Sequence, residues 1–494
     1  MSSVETEKNA QIEIRLPRWF KDLLFLIVTI PIFIITLYYS LQRDMALYDE
    51  LWHVHMGKLI YETNSIPKFD PINYNTPYYN HQFGYSPLFH VLLASLYFIV
   101  GDRSYTPNLL PPLIAAFAVT CVYFTSKRIV GKNWALLSAL LFVQPVIFRY
   151  MLFNYTDMLV AAMASFFYYA VVCAFQSGSY KSYIVAGVAL GFLILSKESG
   201  FILGVPFLLI ILLKRPQDFK KGILCLFTCI LILLPHIYHF YQVTGSPMIF
   251  STPFNSHINK YFVQREAPEE MVSPNPVYES EAFTVSPIYF INPNTGVFFA
   301  REINPLVLLL GFGGLVLGLI KRDDISLFFV LCVLFFTVAW IYYGIAQWRH
   351  ILSLFPIMAI AATQSIIFLC DSITPESLKS PRNNPIFSII FLFLISAAFF
   401  TLEQYQTILI AILGAFSIFG VFVLINQDKF RVEVEVKEEW VVLIQMITVI
   451  IVLFSFFTHI TSTRVNLLNK KTQTQVLHMK TGKFTLMIRL HLSG

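Results

Sequence analysis

"LFHVLLASLYFIV", residues 88–100, is an unbroken apolar run of 13 residues. A helix that crosses a bilayer needs about 20. The run therefore reads as an interfacial or re-entrant helix, not as a crossing. That reading orders the rest of the chain. Apolar segments at 20–41, 107–126, 134–152, 158–176, 182–196, 199–213, 222–241, 303–320, 325–345, 350–370, 387–401, 406–425 and 440–460 make thirteen candidate crossings. Arg15, Arg18 and Lys21 precede the first, so the positive-inside rule puts the N-terminus in the cytoplasm. With 88–100 held out of the count, five further basic clusters fall on that same side: Lys127/Arg128/Lys132, Lys214/Arg215/Lys220/Lys221, Lys321/Arg322, Lys379/Arg382 and Lys429/Arg431. Residues 42–106 then form one long external loop, and residues 242–302, rich in Pro, Asn and aromatics, form a second. The tail departs from the rule. Residues 461–494 hold six basic and no acidic side chains, yet parity puts them outside.

Composition agrees with this class. Of 494 residues 56% are hydrophobic and only 13% charged, where a soluble globule carries about 25% charged. The expected fold is all-α and polytopic. The expected organisation is a cytoplasmic segment 1–19, a transmembrane core 20–370, further transmembrane helices over 371–460 and the basic tail 461–494. The first 18 residues are polar and the apolar run after Lys21 is about 20 long, which reads as a signal anchor, not a cleaved leader. The net charge of +6 comes from short clusters between apolar runs, so no nucleic-acid partner is implied. The six cysteines suggest neither a disulfide framework nor a metal motif.

The remaining charges gather on the external face. Asp49 and Glu50 follow the first span. Arg149 and Asp157 flank the turn "RYMLFNYTD". Lys197 and Glu198 sit at the tip of a short hairpin, in "LSKESG", and Arg349 with His350 in "QWRH". Charge at bilayer depth costs about 2.5–3.5 kcal/mol per residue, so such groups are paired, wetted or used. Lys197 and Arg349 each have a plainer reading as snorkelling side chains, and Asp157 as a helix cap. The acidic pair is harder to dismiss, because adjacent carboxylates repel where the dielectric is low. If 48–62 is a helix, Asp49, Trp52, His53 and Met56 share a face while Glu50 points about 100° away. One carboxylate can then face a substrate while the other meets a cation. Glu50 and His53, three apart, are weak candidates for a divalent metal, with His81 or His257 as a third ligand. No motif of diagnostic spacing supports a metal.

At these residues the sequence resembles the GT-C superfamily of membrane glycosyltransferases, in the glycosyltransferase family 39 branch that holds protein O-mannosyltransferases and aminoarabinose transferases. "LYDELWHVHMGKLIYETNSIPKFDP" looks like the family's first external loop. "HQFGYSPLFHVLLASLYFIVG" resembles its aromatic-then-Pro stretch. "YTDMLVAAMASFFYYAVVCAF" is similar to its Asp-initiated span, "GVALGFLILSKESGFILGVPFLLI" to its hairpin with a Ser/Thr-Lys turn, and "QWRHILSLFPIMAI" to its Arg-aromatic segment. Ser86, Asn108 and His350 depart from residues common in relatives. They are basic before Pro87, Arg at Asn108 and Tyr at His350.

The resemblance implies an inverting transfer of a sugar from a polyprenyl (dolichyl or undecaprenyl) phosphate to an acceptor hydroxyl outside the cytoplasm. The acceptor would be a protein, a lipid or a lipid-linked glycan. It implies Asp49 as general base with Glu50 as helper or alternative, Lys197 and Arg349 at the leaving phosphate with Arg149 third, and Asp157 orienting Lys197 or the acceptor. It implies no certain cofactor and leaves a divalent metal open. A prokaryotic cell membrane suits the chain better than an endoplasmic reticulum. The rival readings are a polytopic transporter, which would favour charges at the midplane and an internal repeat, and a non-catalytic lipid-binding subunit.

Overall fold

The structure is a computed structural model. It describes residue 23 and residues 25–43, 48–67, 86–244, 305–321, 323–343 and 348–372. The side chains of Asp49, Arg349 and His350 are not among those described. The segment 1–22, the loop 245–304, the spans after 372, the basic tail, His81 and His257 also lie outside.

The described residues form an all-helical bundle with no strand. Helix α1 (Leu26–Gln42) leads to α2 (Tyr48–Thr63) and α3 (Leu88–Val100). The 3-10 turn Thr106–Leu109 opens α4 (Leu110–Ile129), and α5 (Lys132–Phe142), α6 (Pro145–Tyr150) and α7 (Thr156–Ser177) follow. Then come α8 (Tyr180–Ser196), α9 (Phe201–Lys214), α10 (Phe219–Thr244), α11 (Pro305–Lys321) and α12 (Asp324–Tyr343). A 3-10 turn, Trp348–Leu354, leads into α13 (Phe355–Ser372). Helices α2 and α3 fall where the sequence placed them. Four helical stretches among the described residues are long and apolar enough to cross a membrane: Thr106–Ile129, Thr156–Ser177, Pro216–Gln242 and Ile351–Phe368. Helices α1, α3 and α8, and parts of α11 and α12, are apolar but shorter.

One expected crossing is interrupted. The segment 134–152 is not a single helix. It stops at Phe142 and restarts at Pro145. Proline disfavours the helical conformation of the residue before it, and Gln144 is extended with ψ 161°. The second piece, α6, turns the chain towards the loop that precedes α7.

Helix α7 sits at the centre. Phe167, Tyr168 and Phe175 pack against Phe207 of α9 and Phe328 and Phe329 of α12, mostly edge to face. The outer faces are apolar as well. Ile27, Ile30, Ile34 and Tyr38 of α1 are exposed, as are Ile223, Phe227, Ile230 and Leu234 of α10. Lipid offers helices no hydrophobic reason to associate, so close packing must hold the bundle together. Small residues supply it. A Cβ added to Gly314 of α11 would strike the Ala361 carbonyl of α13, and one added to Gly187 of α8 would strike the Cys225 carbonyl of α10. These contacts also set direction. Gly311 meets Met358 and Gly314 meets Ala361, so α11 and α13 run parallel. Gly187 meets Cys225 and Gly191 meets Ile232, so α8 and α10 do too.

Polar contacts divide between the two ends. At one end Arg128 binds Gln176 at 3.2 Å, Arg215 Nε binds Asp324 at 2.7 Å, and Asp218 accepts from Lys221 at 2.6 Å and from the Tyr183 hydroxyl at 3.0 Å. This end gathers the described members of three of the basic clusters assigned to the cytoplasm. The acidic pair, the Asp157 turn and the Lys197 turn lie at the other end.

Two substitutions test the close approaches. Gly314→Ala and Gly187→Ala should each cost about 1–3 kcal/mol, as overpacking does. A melting experiment in detergent would read this as a lowered Tm. An unchanged Tm would mean that the helix pairs separate at no cost.

Candidate active site

The site begins where α1 ends. The chain leaves the bundle at Arg43, which is extended at ψ 147°, and re-enters helix at Tyr48. Asp49 and Glu50 occupy the first turn of α2. Glu50 is fully buried, and such a carboxylate must be matched by donors or it shifts to neutral. Here it is matched in full. Arg43 Nη1 donates to Oε2 at 2.7 Å, and Arg43 Nη2 pairs with Oε1. The Asn154 backbone N–H and side-chain Nδ2 both donate to Oε1, at 3.0 and 3.1 Å. Arg43 also donates through Nε to the Leu152 carbonyl at 2.6 Å, and its guanidinium lies over the Phe153 ring at 4.4 Å.

The two Glu50 oxygens thus accept from four donors. The sequence placed it about 100° from Asp49 and allowed it a cation, and Arg43 is that cation. Trp52, His53 and Met56 are buried on the same helix while Leu51 and His55 are exposed. His53 turns to α3: its Nδ1 lies 2.9 Å from His90 Nε2, with Trp52 edge-on to both rings. One ring donates and the other accepts, so at least one of the two is neutral. Among the described residues no three His, Cys, Asp or Glu side chains gather closely enough to hold a metal.

The second part of the site comes from α7 and α8. The plainer reading of Asp157 was a cap for α7. Instead the helix starts at Thr156, Tyr155 caps it without a side-chain bond, and Asp157 lies in the first turn. Its carboxylate binds Lys197 Nζ at 2.8 Å. The Asp157 side chain is 6% exposed and that of Lys197 27%. The buried acid thus holds an ammonium that still reaches the surface. Lys197 is extended, at φ −165°, between the end of α8 and a 3-10 turn, Glu198–Gly200. Glu198 accepts from the Ser86 hydroxyl at 3.0 Å. The stretch leading into α3 is thereby fastened to the hairpin tip.

Arg149 lies half-buried in α6. Arg349 lies in the 3-10 turn before α13. The parallel pairing of α11 and α13 puts that turn at the same end of the bundle, and Ser353 within it accepts from the Tyr168 hydroxyl of α7 at 3.0 Å. The structure therefore brings the backbones of 49–50, 149–157, 197–198 and 349 to one end. It joins Asp157 to Lys197 and Glu50 to Arg43 by direct contact. On the rim, Lys58 of α2 pairs with Asp102 at 2.8 Å, and that bond raises the lysine above its usual pKa.

The sequence reading missed Arg43 and Asn154. Arg43 reads there as one more basic residue beside a span, and Asn154 as part of a loop. A usable signal was the lone arginine seven residues before a carboxylate that sits next to lipid. Burial of that carboxylate demands such a partner.

The family model for dolichyl-phosphate-mannose-protein mannosyltransferases matches residues 85–239. No curated protein matches the sequence. Among solved structures, the apo oligosaccharyltransferase of Archaeoglobus fulgidus is similar with a TM-score of 0.54 at 14% identity, over 73% of this chain and 52% of that one. An archaeal oligosaccharyltransferase from the same organism, in complex with an inhibitory peptide and a dolichol-phosphate, aligns with a TM-score of 0.50 at 14% identity, over 72% and 51%. Arabinosyltransferase EmbB from Mycobacterium smegmatis aligns with a TM-score of 0.50 at 12% identity, over 94% and 43%. The chain thus spans about half the length of the archaeal structures that it matches. At such identities the likeness is one of fold. The chain is thus similar in fold to these solved membrane proteins, and over residues 85–239 to the dolichyl-phosphate-mannose-protein mannosyltransferase family.

Proposed function

We propose that this integral membrane protein is a glycosyltransferase that takes a sugar from a polyprenyl phosphate and attaches it, with inversion, to an acceptor hydroxyl on the extracytoplasmic face. The observation that carries the reading is the Asp157–Lys197 pair, at the same end of the bundle as Asp49. A leaving lipid phosphate needs a cation where its charge develops. Lys197 is such a cation, oriented from below by Asp157 and open above. Arg349 and then Arg149 are further candidates from the same end.

In the proposed step the acceptor oxygen attacks the anomeric carbon. The bond from that carbon to the phosphate oxygen breaks as the new glycosidic bond forms. The proton of the hydroxyl passes to Asp49, and the prenyl phosphate leaves against Lys197. A carboxylate placed at an interface can take that proton. Asp49 is the acid of the pair assigned to it, because the lone pairs of Glu50 are occupied. The complex of the archaeal relative with a dolichol-phosphate supports a lipid-phosphate donor, and the archaeal structure tethered with an acceptor peptide supports a peptide among the acceptors. A lipid or a lipid-linked glycan would present the same hydroxyl. Membrane lipid is the surrounding partner and nucleic acid has no part. A prokaryotic cell membrane is the favoured location over the endoplasmic reticulum.

Three measurements test this. The purified protein is offered a panel of polyprenyl-phosphate sugars with peptide, lipid and glycan acceptors, and release of prenyl phosphate is followed. Release with at least one pair is expected, and none with any pair removes the proposal. Asp49→Asn should lower turnover by about 10²–10⁴-fold with normal membrane insertion; full activity would clear Asp49 of the role. Lys197→Met should lower turnover by at least tenfold, and Asp157→Asn by less. Equal activity of all three proteins would move the phosphate site elsewhere.

A further inference from the structure

We infer that Arg43 and Asn154 are positioning residues, which use the buried Glu50 carboxylate as a latch to fix the spacing between Asp49 and the Asp157–Lys197 pair. The inference rests on the proposed transfer for its catalytic meaning, though the latch itself is a property of the fold.

The two halves of the site come from separate stretches of chain. Asp49 belongs to the first turn of α2, and Asp157 to the first turn of α7. No helix contains both. Asp157 is preceded by an irregular stretch, Met151 to Tyr155, before α7. Glu50 joins the two halves. It is next to Asp49 in sequence, and through Asn154 it grips the loop three residues before Asp157. Arg43 closes the third side. One guanidinium binds the Glu50 carboxylate, the Leu152 carbonyl and the face of Phe153. The end of α1, the start of α2 and the loop before α7 thus meet at one carboxylate.

The arrangement is stiff for a physical reason. Glu50 is 0% exposed, and the Arg43 side chain only 15%. A buried carboxylate that loses a donor faces an uncompensated charge, so small displacements are resisted. A paired guanidinium also holds a carboxylate in one plane, which a lysine cannot do. Catalytic groups tolerate only about 0.5 Å of error, and a misplacement of about 1 Å can cost 10²-fold in rate. The latch supplies that precision from residues that need not touch substrate.

The test uses the full-length protein in nanodiscs, with Arg43→Gln, Arg43→Lys and Asn154→Ala. Hydrogen exchange reads the latch without reference to activity. Arg43→Gln should raise exchange in 44–50 and in 151–155 together while α7 stays protected. Arg43→Lys should give a smaller rise in both. If only one of the two segments loosens, or neither, the latch is wrong. Kinetics then read positioning: Arg43→Gln and Asn154→Ala should lower kcat about 10²-fold with KM for the donor within threefold, and Arg43→Lys should recover at least fivefold of the loss. An unchanged kcat, or a loss confined to KM, overturns the positioning role. If the unmodified protein transfers no sugar at all, the proposed function falls, and the exchange result still decides the latch. Arg43→Lys serves as the milder variant should Arg43→Gln fail to fold.

Discussion

Charge is expensive inside an apolar bundle, and this cost arranges the molecule. Each described ion pair lies at one end of the helices or the other. At the basic end Arg215, Asp218, Lys221 and Asp324 neutralise one another. At the opposite end Arg43, Glu50, Asp157 and Lys197 do the same. Between them the contacts are aromatic rings, small residues and a few hydroxyls, such as the chain Ser126–Ser138–Thr363 linking α4, α5 and α13. The helices supply a rigid apolar spacer, and the chemistry is confined to where they end.

The two acidic residues that open the site have been separated by this constraint. Side by side and both ionised, they would repel. Burying one among four donors removes it from the conflict, and its neighbour is left at a defined place beside it. In the fold Glu50, next to Asp49 in sequence, is held by Arg43 and Asn154. Asp157 plays a comparable part for Lys197. There the buried acid holds an ammonium that reaches the surface.

Much of this could be read from the chain. The 13-residue run at 88–100, the hairpin tip at Lys197 and the common end of the acidic and basic groups follow from apolar run lengths and Lys/Arg placement, which are local and additive signals, while the helix over 48–62 entered only as a condition. The pairing of Asp157 with Lys197 was legible as complementary charge on one face. Two features were not. The break at Gln144–Pro145 was hidden by the apolar residues on both sides, since hydropathy does not see backbone conformation. The Arg43–Glu50–Asn154 contact joins residues 104 positions apart in sequence through a loop, and no period announces such a contact. The spans beyond residue 372 lie outside the described residues.

The close approaches at Gly187 and Gly314 have a consequence for how material could move through the protein. A carrier that alternates between inward and outward openings must let one group of helices slide or rock against another. Here α8 against α10 and α11 against α13 are in backbone contact, and Arg215 ties α9 to α12 at the far end. Rocking these pairs would break van der Waals contact along their length and expose polar carbonyls to lipid. The architecture resists sliding within these two pairs, so each pair moves as a unit.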